Sequence, residues 1–215
     1  MSELFSIQLQ NRQQQGRDGV WLDLPTTTEQ VQAALRQIGI SSDNPQGLFI
    51  SGYFAEEEKR FAIPYNMVLA SNVDELNFLA SRLETLSTGE RAELNAALQA
   101  PQSELFSIGK ITDFPENVDY YVHLPEVHGP AQLGDYYLNR SGMVDMPEEW
   151  KGGIDTAQFG RYVAQQEQGA FTQYGYLVKS GDAWQKVHEG QPVPEEYRVL
   201  SLPAPEILRD AANIP

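Results

Sequence analysis

The stretch GVWLDLPTTTEQVQAALRQIG, residues 19–39, decides how the first part of this chain folds. Apolar residues cluster over 19–24 and Pro25 follows directly, which predicts a strand that ends at the proline. Thr26 and Glu29 have the spacing of a capping box, in which two side chains accept backbone hydrogen bonds at the start of a helix. The apolar residues that follow recur at helical spacing up to the closing glycine, so a helix is predicted there.

Two further strands are predicted around this first strand and helix. Residues 4–9 alternate apolar and polar side chains, and residues 48–54 form an apolar run after a turn that contains proline and glycine. Together these elements predict a ββαβ unit, an N-terminal domain that combines a mixed antiparallel sheet with a helix, within residues 1–70.

The middle of the chain, residues 71–130, is predicted to be a helical domain. Asn72 precedes apolar residues at helical spacing, and Ser87 with Glu90 forms a second capping box before another such run. A shorter helix is predicted over residues 103–108. Because helices of this length are marginal alone, they must pack on one another.

The last part of the chain, residues 131–215, mixes both element types and is predicted to be an α/β domain that ends in a proline-containing tail. The predicted elements are helices over residues 131–139 and 156–166 and strands over 171–179, 184–188 and 197–202. The chain as a whole is therefore expected to be an α+β protein of three small domains.

Charge is the strongest signal in the composition. The 215 residues include 30 acidic and 15 basic side chains, for a formal net charge of −15. The net charge is −3 over residues 1–70, −7 over 71–130 and −5 over 131–215, so acidity is densest in the helical middle. Such a field repels nucleic-acid phosphates and anionic lipid heads and attracts basic protein grooves. We therefore expect a protein partner, with no direct nucleic-acid binding and no membrane binding.

The cysteine content and the N-terminus bear on the compartment. The chain has no cysteine, which agrees with a reducing compartment and leaves no thiolate for catalysis or metal binding. Its start lacks a basic region followed by an apolar one, and no window approaches the roughly 18 apolar residues of a membrane span. A cytoplasmic location is the expectation.

Residue patterns give little support to catalysis or metal binding. His123, Glu126 and His128 could form a metal site, but their spacing matches no established ligand pattern. Phosphate-binding glycine loops and the nucleophile motif of serine hydrolases are absent from the sequence. The tryptophans are interpreted as core anchors rather than ligand platforms, namely Trp21, Trp150 and Trp184. No cofactor, no metal and no enzymatic activity are expected.

Several short motifs occur in an order that resembles the ArdA family of antirestriction proteins. The similar segments are GVWLDLP at 19–25, NVDELN at 72–77, LGDYYL at 133–138, GM at 142–143, MPEE at 146–149, ID at 154–155, FGR at 159–161 and FTQYGY at 171–176. Their order along the chain is more specific than any one of them alone.

This resemblance implies a DNA mimic of the kind encoded on mobile genetic elements. Its chains would form an elongated homodimer whose surface carboxylates imitate the phosphates of bent duplex DNA and block the DNA groove of type I restriction-modification enzymes. By position, it implies phosphate-mimicking roles for acids of the helical middle, which are Asp74, Glu75, Glu84, Glu90 and Glu93. It implies the same role for acids of the antirestriction segment (residues 133–149), which are Asp135, Asp145, Glu148 and Glu149.

The chain departs from the family pattern at Asn139 and Arg140, which stand where relatives are usually acidic. Two other functions stay open. An acidic adaptor or inhibitor of another DNA-binding or defence protein would show a compact acidic patch, whereas DNA mimicry predicts a continuous double stripe of carboxylates. A carboxylate-dependent hydrolase would use paired acids such as Asp135, Asp145 and Glu148 as general acid and base, and it would need a concave pocket with perturbed carboxylates.

Overall fold

A computed structural model describes residues 3–14, 18–41, 44–56, 60–101 and 103–200 of the chain. Within these ranges it contains eight α-helices and two three-stranded antiparallel sheets. The α+β prediction is therefore confirmed, whereas the elongated shape and the division into three domains stay predictions. Among the described residues, none of the helices has the length and apolar character that a bilayer span requires.

The predicted ββαβ unit is present at the N-terminus. Its elements are β1 (Phe5–Asn11), β2 (Val20–Leu24), α1 (Thr28–Gln37) and β3 (Leu48–Phe54). The strand order is β2-β1-β3, and both pairings are antiparallel. Ile7 and Leu9 of β1 are fully buried in one cluster with Val31 and Leu35 of α1, so the apolar face of the strand and the apolar face of the helix form one core.

Helix α1 begins one residue later than the capping pattern predicted. Its capping box consists of Thr27 and Gln30, and the predicted pair of Thr26 and Glu29 is wrong. The Gln30 side chain accepts a hydrogen bond from the Thr27 N–H at 3.1 Å, and the Thr27 hydroxyl accepts one from the Gln30 N–H at 3.4 Å. Thr26 is buried, and its N–H donates to Asn77 Oδ1 at 2.7 Å, which ties this residue to the helical middle instead.

The middle of the chain is helical, as predicted. Within residues 71–130 the helices are α3 (Val73–Leu83), α4 (Thr88–Gln99) and α5 (Ile108–Thr112), and α2 (Tyr65–Leu69) directly precedes this range. Residues Tyr121–Leu124, near the end of the range, form a strand that the helical prediction did not include. The Asn72 side chain caps α3, and the capping box of Ser87 and Glu90 starts α4. Both caps confirm the sequence interpretation.

The helix predicted over residues 103–108 is wrong. The Ser103 hydroxyl accepts a hydrogen bond from the Leu105 N–H at 3.2 Å, a local turn that competes with helix formation. Helix α5 starts only after Ser107, whose hydroxyl accepts from the Lys110 N–H at 3.2 Å.

The C-terminal part mixes helices and strands. Its elements are β4 (Tyr121–Leu124), α6 (Pro130–Asn139), α7 (Glu148–Lys151), α8 (Thr156–Glu167), β5 (Ala170–Thr172) and β6 (Gly175–Lys179). The strands pair antiparallel in the order β4-β6-β5. The two predicted helices are confirmed, but the single strand predicted over 171–179 is wrong. It is a hairpin that turns before Gly175, whose φ of +117° lies in a region that favours glycine.

Residues 180–200, which we name the C-terminal strap, contain no strand. The strand predicted over 184–188 is therefore wrong, as is the part of the 197–202 prediction that the structure describes, and residues 201–202 lie outside the described ranges. The strap instead holds a short 3-10 turn over Glu195–Tyr197.

Polar side chains of the helical middle bind the backbone of the strap. The Asp113 carboxylate, fully buried, accepts hydrogen bonds from three successive strap N–H groups, at 3.3 Å from Val187, 2.6 Å from His188 and 3.2 Å from Glu189. Further anchors are Asn117 on Gln185, Asn77 on Tyr197, and Asp74 on Val199 and Leu200. These bonds replace the sheet ladder that the strap lacks, since buried backbone groups need partners.

The hydrophobic core consists of two clusters in the described residues. The larger one runs from Leu4 through the N-terminal unit and the helical middle to Leu200 at the end of the strap. The smaller one is centred on Val127, Leu133 and Tyr176, beneath α6 and α8.

Helices α6 and α8 pack closely because each has a glycine at the crossing. A Cβ atom on Gly160 would lie 1.8 Å from the Pro130 carbonyl oxygen and 2.8 Å from the Gly134 nitrogen. A Cβ atom on Gly134 would lie 2.0 Å from the Thr156 carbonyl oxygen. Because backbone atoms cannot give way as a flexible side chain can, only glycine fits at both positions. This crossing fixes the two ends of the loop that carries the antirestriction acids.

We expect the substitution Gly160→Ala to lower the free energy of unfolding by about 2 kcal/mol, because overpacking against backbone outweighs the higher helix propensity of alanine. Urea unfolding followed by circular dichroism measures the change. Gly152→Ala is the matched control, since a Cβ atom there meets nothing within 4 Å. Equal stability of the two variants would contradict the close crossing.

Candidate functional site

The acids predicted to mimic phosphates lie in two places on the fold. Those of the helical middle are on or next to α3 and α4, and those of the antirestriction segment lie on α6, on α7 and in the loop between them. Their environments differ strongly. Their functional role stays a prediction.

Asp74 and Glu75 begin α3 but face different surroundings. Asp74 is half-buried, and its Oδ1 accepts hydrogen bonds from the N–H groups of Val199 at 2.7 Å and Leu200 at 2.9 Å. Its carboxylate therefore holds the strap. Glu75 is also half-buried and lines a groove between α3 and the strap.

Two further acids of this set stand at helix ends. Glu84 is half-buried at the C-cap of α3. Glu90 accepts a hydrogen bond from the Ser87 N–H at 2.7 Å within the capping box of α4. Hydrogen bonds from the Ser87 side chain and backbone lower the pKa of Glu90, so this carboxylate stays ionised.

Glu93 differs from its neighbours because its carboxyl group is turned inward. Its Oε1 is buried, without a hydrogen-bond partner among the described residues. Burial, followed by the negative charges of Glu90 and Asp119, raises the pKa of Glu93 to about 8. At neutral pH this carboxyl group is mostly protonated, so it adds little to the negative surface.

Other acids of the helical middle are neutralised by cations. Glu116 forms a salt bridge with Arg82 across the helical layer. Glu104 accepts from Lys179 Nζ at 2.6 Å and from the Tyr120 hydroxyl at 2.8 Å, which joins the middle to β6. The hydrogen bond from Lys179 lowers the pKa of Glu104. Part of the acid excess of this region is thus used to stabilise the fold.

In the antirestriction segment, Asp135 is paired with Asn139 and Arg140. Its Oδ2 lies 3.1 Å from the Arg140 guanidinium, and its Oδ1 accepts from Asn139 Nδ2 at 2.8 Å. The pair is half-exposed, so it contributes little to stability but cancels a surface charge locally.

The remaining acids of the antirestriction segment point into solvent. Asp145, Glu148 and Glu149 are all exposed. Glu148 lies 2.6 Å from Lys151 Nζ one helical turn away, whereas Asp145 and Glu149 have no hydrogen-bond or salt-bridge partner among the residues the structure describes. A basic protein surface could reach Asp145 and Glu149 without breaking a structural contact, whereas reaching Glu148 would replace its salt bridge with Lys151.

Large apolar side chains are exposed in and around the same segment. Met143 is 74% exposed, Trp150 66% and Tyr162 60%. Two of the tryptophan interpretations are therefore wrong: Trp150 is not a core anchor, and neither is Trp21, which is 49% exposed on β2. The tryptophan at residue 184 packs against the main core, as expected. Exposed apolar side chains of this size are typical of protein-protein contact surfaces.

A carboxylate and two tyrosines hold the helices beneath this surface. Glu167 at the end of α8 accepts hydrogen bonds from the Tyr137 hydroxyl on α6 and from the Tyr176 hydroxyl on β6, the latter at 2.9 Å. Burial and the bonds to Glu167 raise the pKa of both tyrosines. The sequence offered no signal for this contact because its partners are far apart along the chain.

The histidines considered as metal ligands have other environments. His123 lies on β4, and its Nε2 is 2.7 Å from the Tyr174 carbonyl oxygen, while His128 is exposed after the strand. Within the described ranges, no group of three or more histidine, aspartate or glutamate side chains has an arrangement that could hold a metal ion.

A family model described as "Antirestriction protein (ArdA)" matches residues 15–178 of the chain. The match includes the antirestriction segment and both helices of the glycine crossing, and it ends before the strap. No curated protein sequence matches the chain.

The pKa of Glu93 predicts a pH-dependent stability. Its folded-state pKa of about 8 lies above the ordinary value of 4.5, so its contribution is fully present below pH 4.5 and is lost as the pH rises through 8. We expect Glu93→Gln to become progressively more stable than the unmodified chain between pH 5 and pH 8, by on the order of 1 kcal/mol after allowance for solvent screening.

Urea unfolding at several pH values measures this difference. Glu126→Gln, which removes the same formal charge at an exposed side chain, serves as the control and should show a much smaller pH dependence. A constant difference for Glu93→Gln over this range would contradict the inward, protonated carboxyl group.

Proposed function

The chain belongs to the ArdA family of antirestriction proteins, and on that premise we propose that it inhibits type I restriction-modification enzymes by occupying their DNA-binding groove. Its exposed carboxylates take the place of DNA phosphates there. The family is one of antirestriction proteins and not of enzymes, and inhibition by occupancy requires no catalytic group.

The observation that carries this proposal is the exposure of Asp145, Glu148 and Glu149 within the family-matched part of an acidic chain. They lie within five residues of one another, on a loop and short helix framed by α6 and α8. Because α6 and α8 pack closely at Gly134 and Gly160, both ends of this loop are fixed, and the carboxylates are held in defined positions. Pre-positioned charges bind with less loss of conformational freedom than charges on a free tail.

Electrostatics explains why such a surface would suit a DNA-binding groove. A groove that binds DNA is lined with lysine and arginine, which release the condensed counterions of the phosphates when they bind. Anchored carboxylates can pair with the same cations, and a net charge of −15 attracts the basic groove from a distance. Binding of this kind weakens as salt concentration rises.

We propose further that two copies of the chain associate. Met143, Trp150 and Tyr162 have large apolar side chains that are exposed, and Met143 and Trp150 lie close in sequence to Asp145 and Glu149. A homodimer that covers them would extend the carboxylate surface over a longer stretch of a DNA-binding groove.

The inhibition proposal is tested with the triple variant Asp145→Asn, Glu148→Gln and Glu149→Gln, which removes charge with little change in shape. In a cleavage assay with a purified type I restriction enzyme, we expect about a tenfold or greater loss of inhibition, since each lost charge pair weakens binding. The salt dependence of inhibition should also become shallower.

The matched control changes three exposed acids outside the family-matched residues: Glu3→Gln, Asp182→Asn and Glu195→Gln. It alters net charge by the same amount, so a selective loss in the first variant assigns the effect to the segment and not to overall charge. Full inhibition by a folded first variant would contradict the proposed surface. A chain that binds no type I enzyme but captures another DNA-binding protein would favour the acidic-adaptor alternative.

Association is tested separately by sedimentation equilibrium. We expect a dimer at micromolar concentration for the unmodified chain and a shift towards monomer for the double variant Met143→Ala and Trp150→Ala, because apolar contact area is lost. Trp21→Ala, an exposed tryptophan on the N-terminal sheet, is the control and should leave the dimer intact. A monomeric unmodified chain would contradict this part of the proposal.

A further inference from the structure

A groove of about 1110 Å³ lies between the helical middle and the strap. One wall comes from α2, the start of α3 and the stretch that leads into α5. The opposite wall consists of strap residues 188–193. We name it the strap groove.

The interior of the strap groove is largely apolar, and its charged groups are of one sign. Its apolar lining includes Met67, Phe78, Leu105, Phe106 and Val193. Of the described residues, the charged ones that line it are Glu75 and Glu189. Glu189 lies 3.2 Å from Lys186 Nζ, so Glu75 supplies the groove's unpaired negative charge. An apolar lining that contains the Glu75 carboxylate suits an apolar ligand that carries a positive charge.

The strap wall is held in place by buried polar contacts. The carboxylate of Asp113 binds the backbone of residues 187–189, and the Phe78 ring packs against His188 with a centroid distance of 4.9 Å. At Gly109, an added Cβ atom would lie 3.2 Å from Glu189 Cα, so α5 and the strap are in close contact. The groove is therefore a built feature with fixed walls.

An exposed aromatic ring marks the edge of the groove. Phe106 is 68% exposed, and Lys110 Nζ lies 4.4 Å above its ring centre. Lys110 lies over one face of this ring, and the rest of its exposed surface offers contact area to an incoming side chain. Aromatic anchors of this kind often dominate binding energy at protein interfaces.

We propose that the strap groove binds an amphipathic segment of a partner protein, with apolar side chains on one face and at least one lysine or arginine beside them. The apolar face would pack on Phe106 and the groove floor, and the basic side chain would pair with Glu75. This recognition mode, a short amphipathic segment in an apolar groove, needs only the preformed walls described above. The strap wall lies beyond the residues matched by the family, whereas Glu75 and the opposite wall lie within them. The groove is a contact surface separate from the antirestriction segment (residues 133–149).

The test uses a short fluorescein-labelled helical peptide of leucine and lysine in amphipathic order, titrated with the full chain and followed by fluorescence anisotropy. We expect saturable binding that Phe106→Ala weakens about tenfold and Glu75→Gln about threefold, the latter with a reduced dependence on salt. Trp21→Ala and Glu126→Gln are the matched exposed controls outside the groove and should bind as the unmodified chain does.

Two control peptides separate the groove from general attraction to an acidic protein. One replaces leucine with serine and keeps the charge, and the other replaces lysine with glutamate and keeps the apolar face. Both should bind at least about tenfold more weakly. Equal binding of the serine peptide, or equal loss of affinity in all four chain variants, would overturn the proposal.

Other occupants would give different results. If Phe106→Ala lowers the oligomeric state in sedimentation, the groove holds a second copy of the chain and the proposal is wrong. If the peptide binds tightly only to a chain truncated after Leu200, residues 201–215 compete with it for the groove in the full chain, and the proposal is again wrong. The triple variant of the antirestriction acids should keep peptide binding, so failure of this proposal and failure of the inhibition proposal are distinguishable.

Discussion

A carboxylate that is removed from water must be fully hydrogen-bonded or must hold a proton, and this constraint sorts the acids of the chain into groups. Asp113 meets it with three backbone N–H groups of the strap. Glu93 meets it by protonation, since its pKa is raised to about 8. The exposed acids of the antirestriction segment are under no such constraint and stay available to a partner. Some acids of the chain therefore stabilise the fold, and others are exposed and serve the proposed function.

The formal charge of −15 consequently overstates the anionic surface that a partner meets. Asp74 is engaged by the strap, Asp135 by Arg140, and Glu104 by Lys179. The exposed acids of the family-matched region include Asp145, Glu148 and Glu149 near α7, and others, such as Asp23, Asp119 and Glu126, lie elsewhere on the fold. A sequence count of acids cannot make this distinction, because it depends on which side chain each carboxylate meets in the folded chain.

Local signals account for what could be predicted from the sequence. The caps at Asn72 and Ser87 and the alternation of β1 were correct, because each depends on neighbours within a few residues. The sequence predictions were wrong where residues distant along the chain determine the local structure. Thr26 does not cap α1 as predicted, and its N–H donates to Asn77 instead. The strap forms no strand, because Asp113, more than 70 residues away, binds its backbone. The positions of the candidate acids could be proposed from motif order, but their partners could not. Nor could the sequence reveal that Trp150 is exposed, since tryptophan is typical of both cores and interfaces.

The strap also has a consequence for the order in which the protein matures on the ribosome. Each of its anchors, from Asp74 to Asn117, belongs to a part of the chain that leaves the exit tunnel earlier. The strap can dock only on a helical layer that is already formed, and until then Asp113 stays without the donors it needs. Docking of the strap therefore has to follow synthesis of its anchors, and a nascent chain arrested before residue 180 would lack the three strap N–H groups from which Asp113 accepts hydrogen bonds.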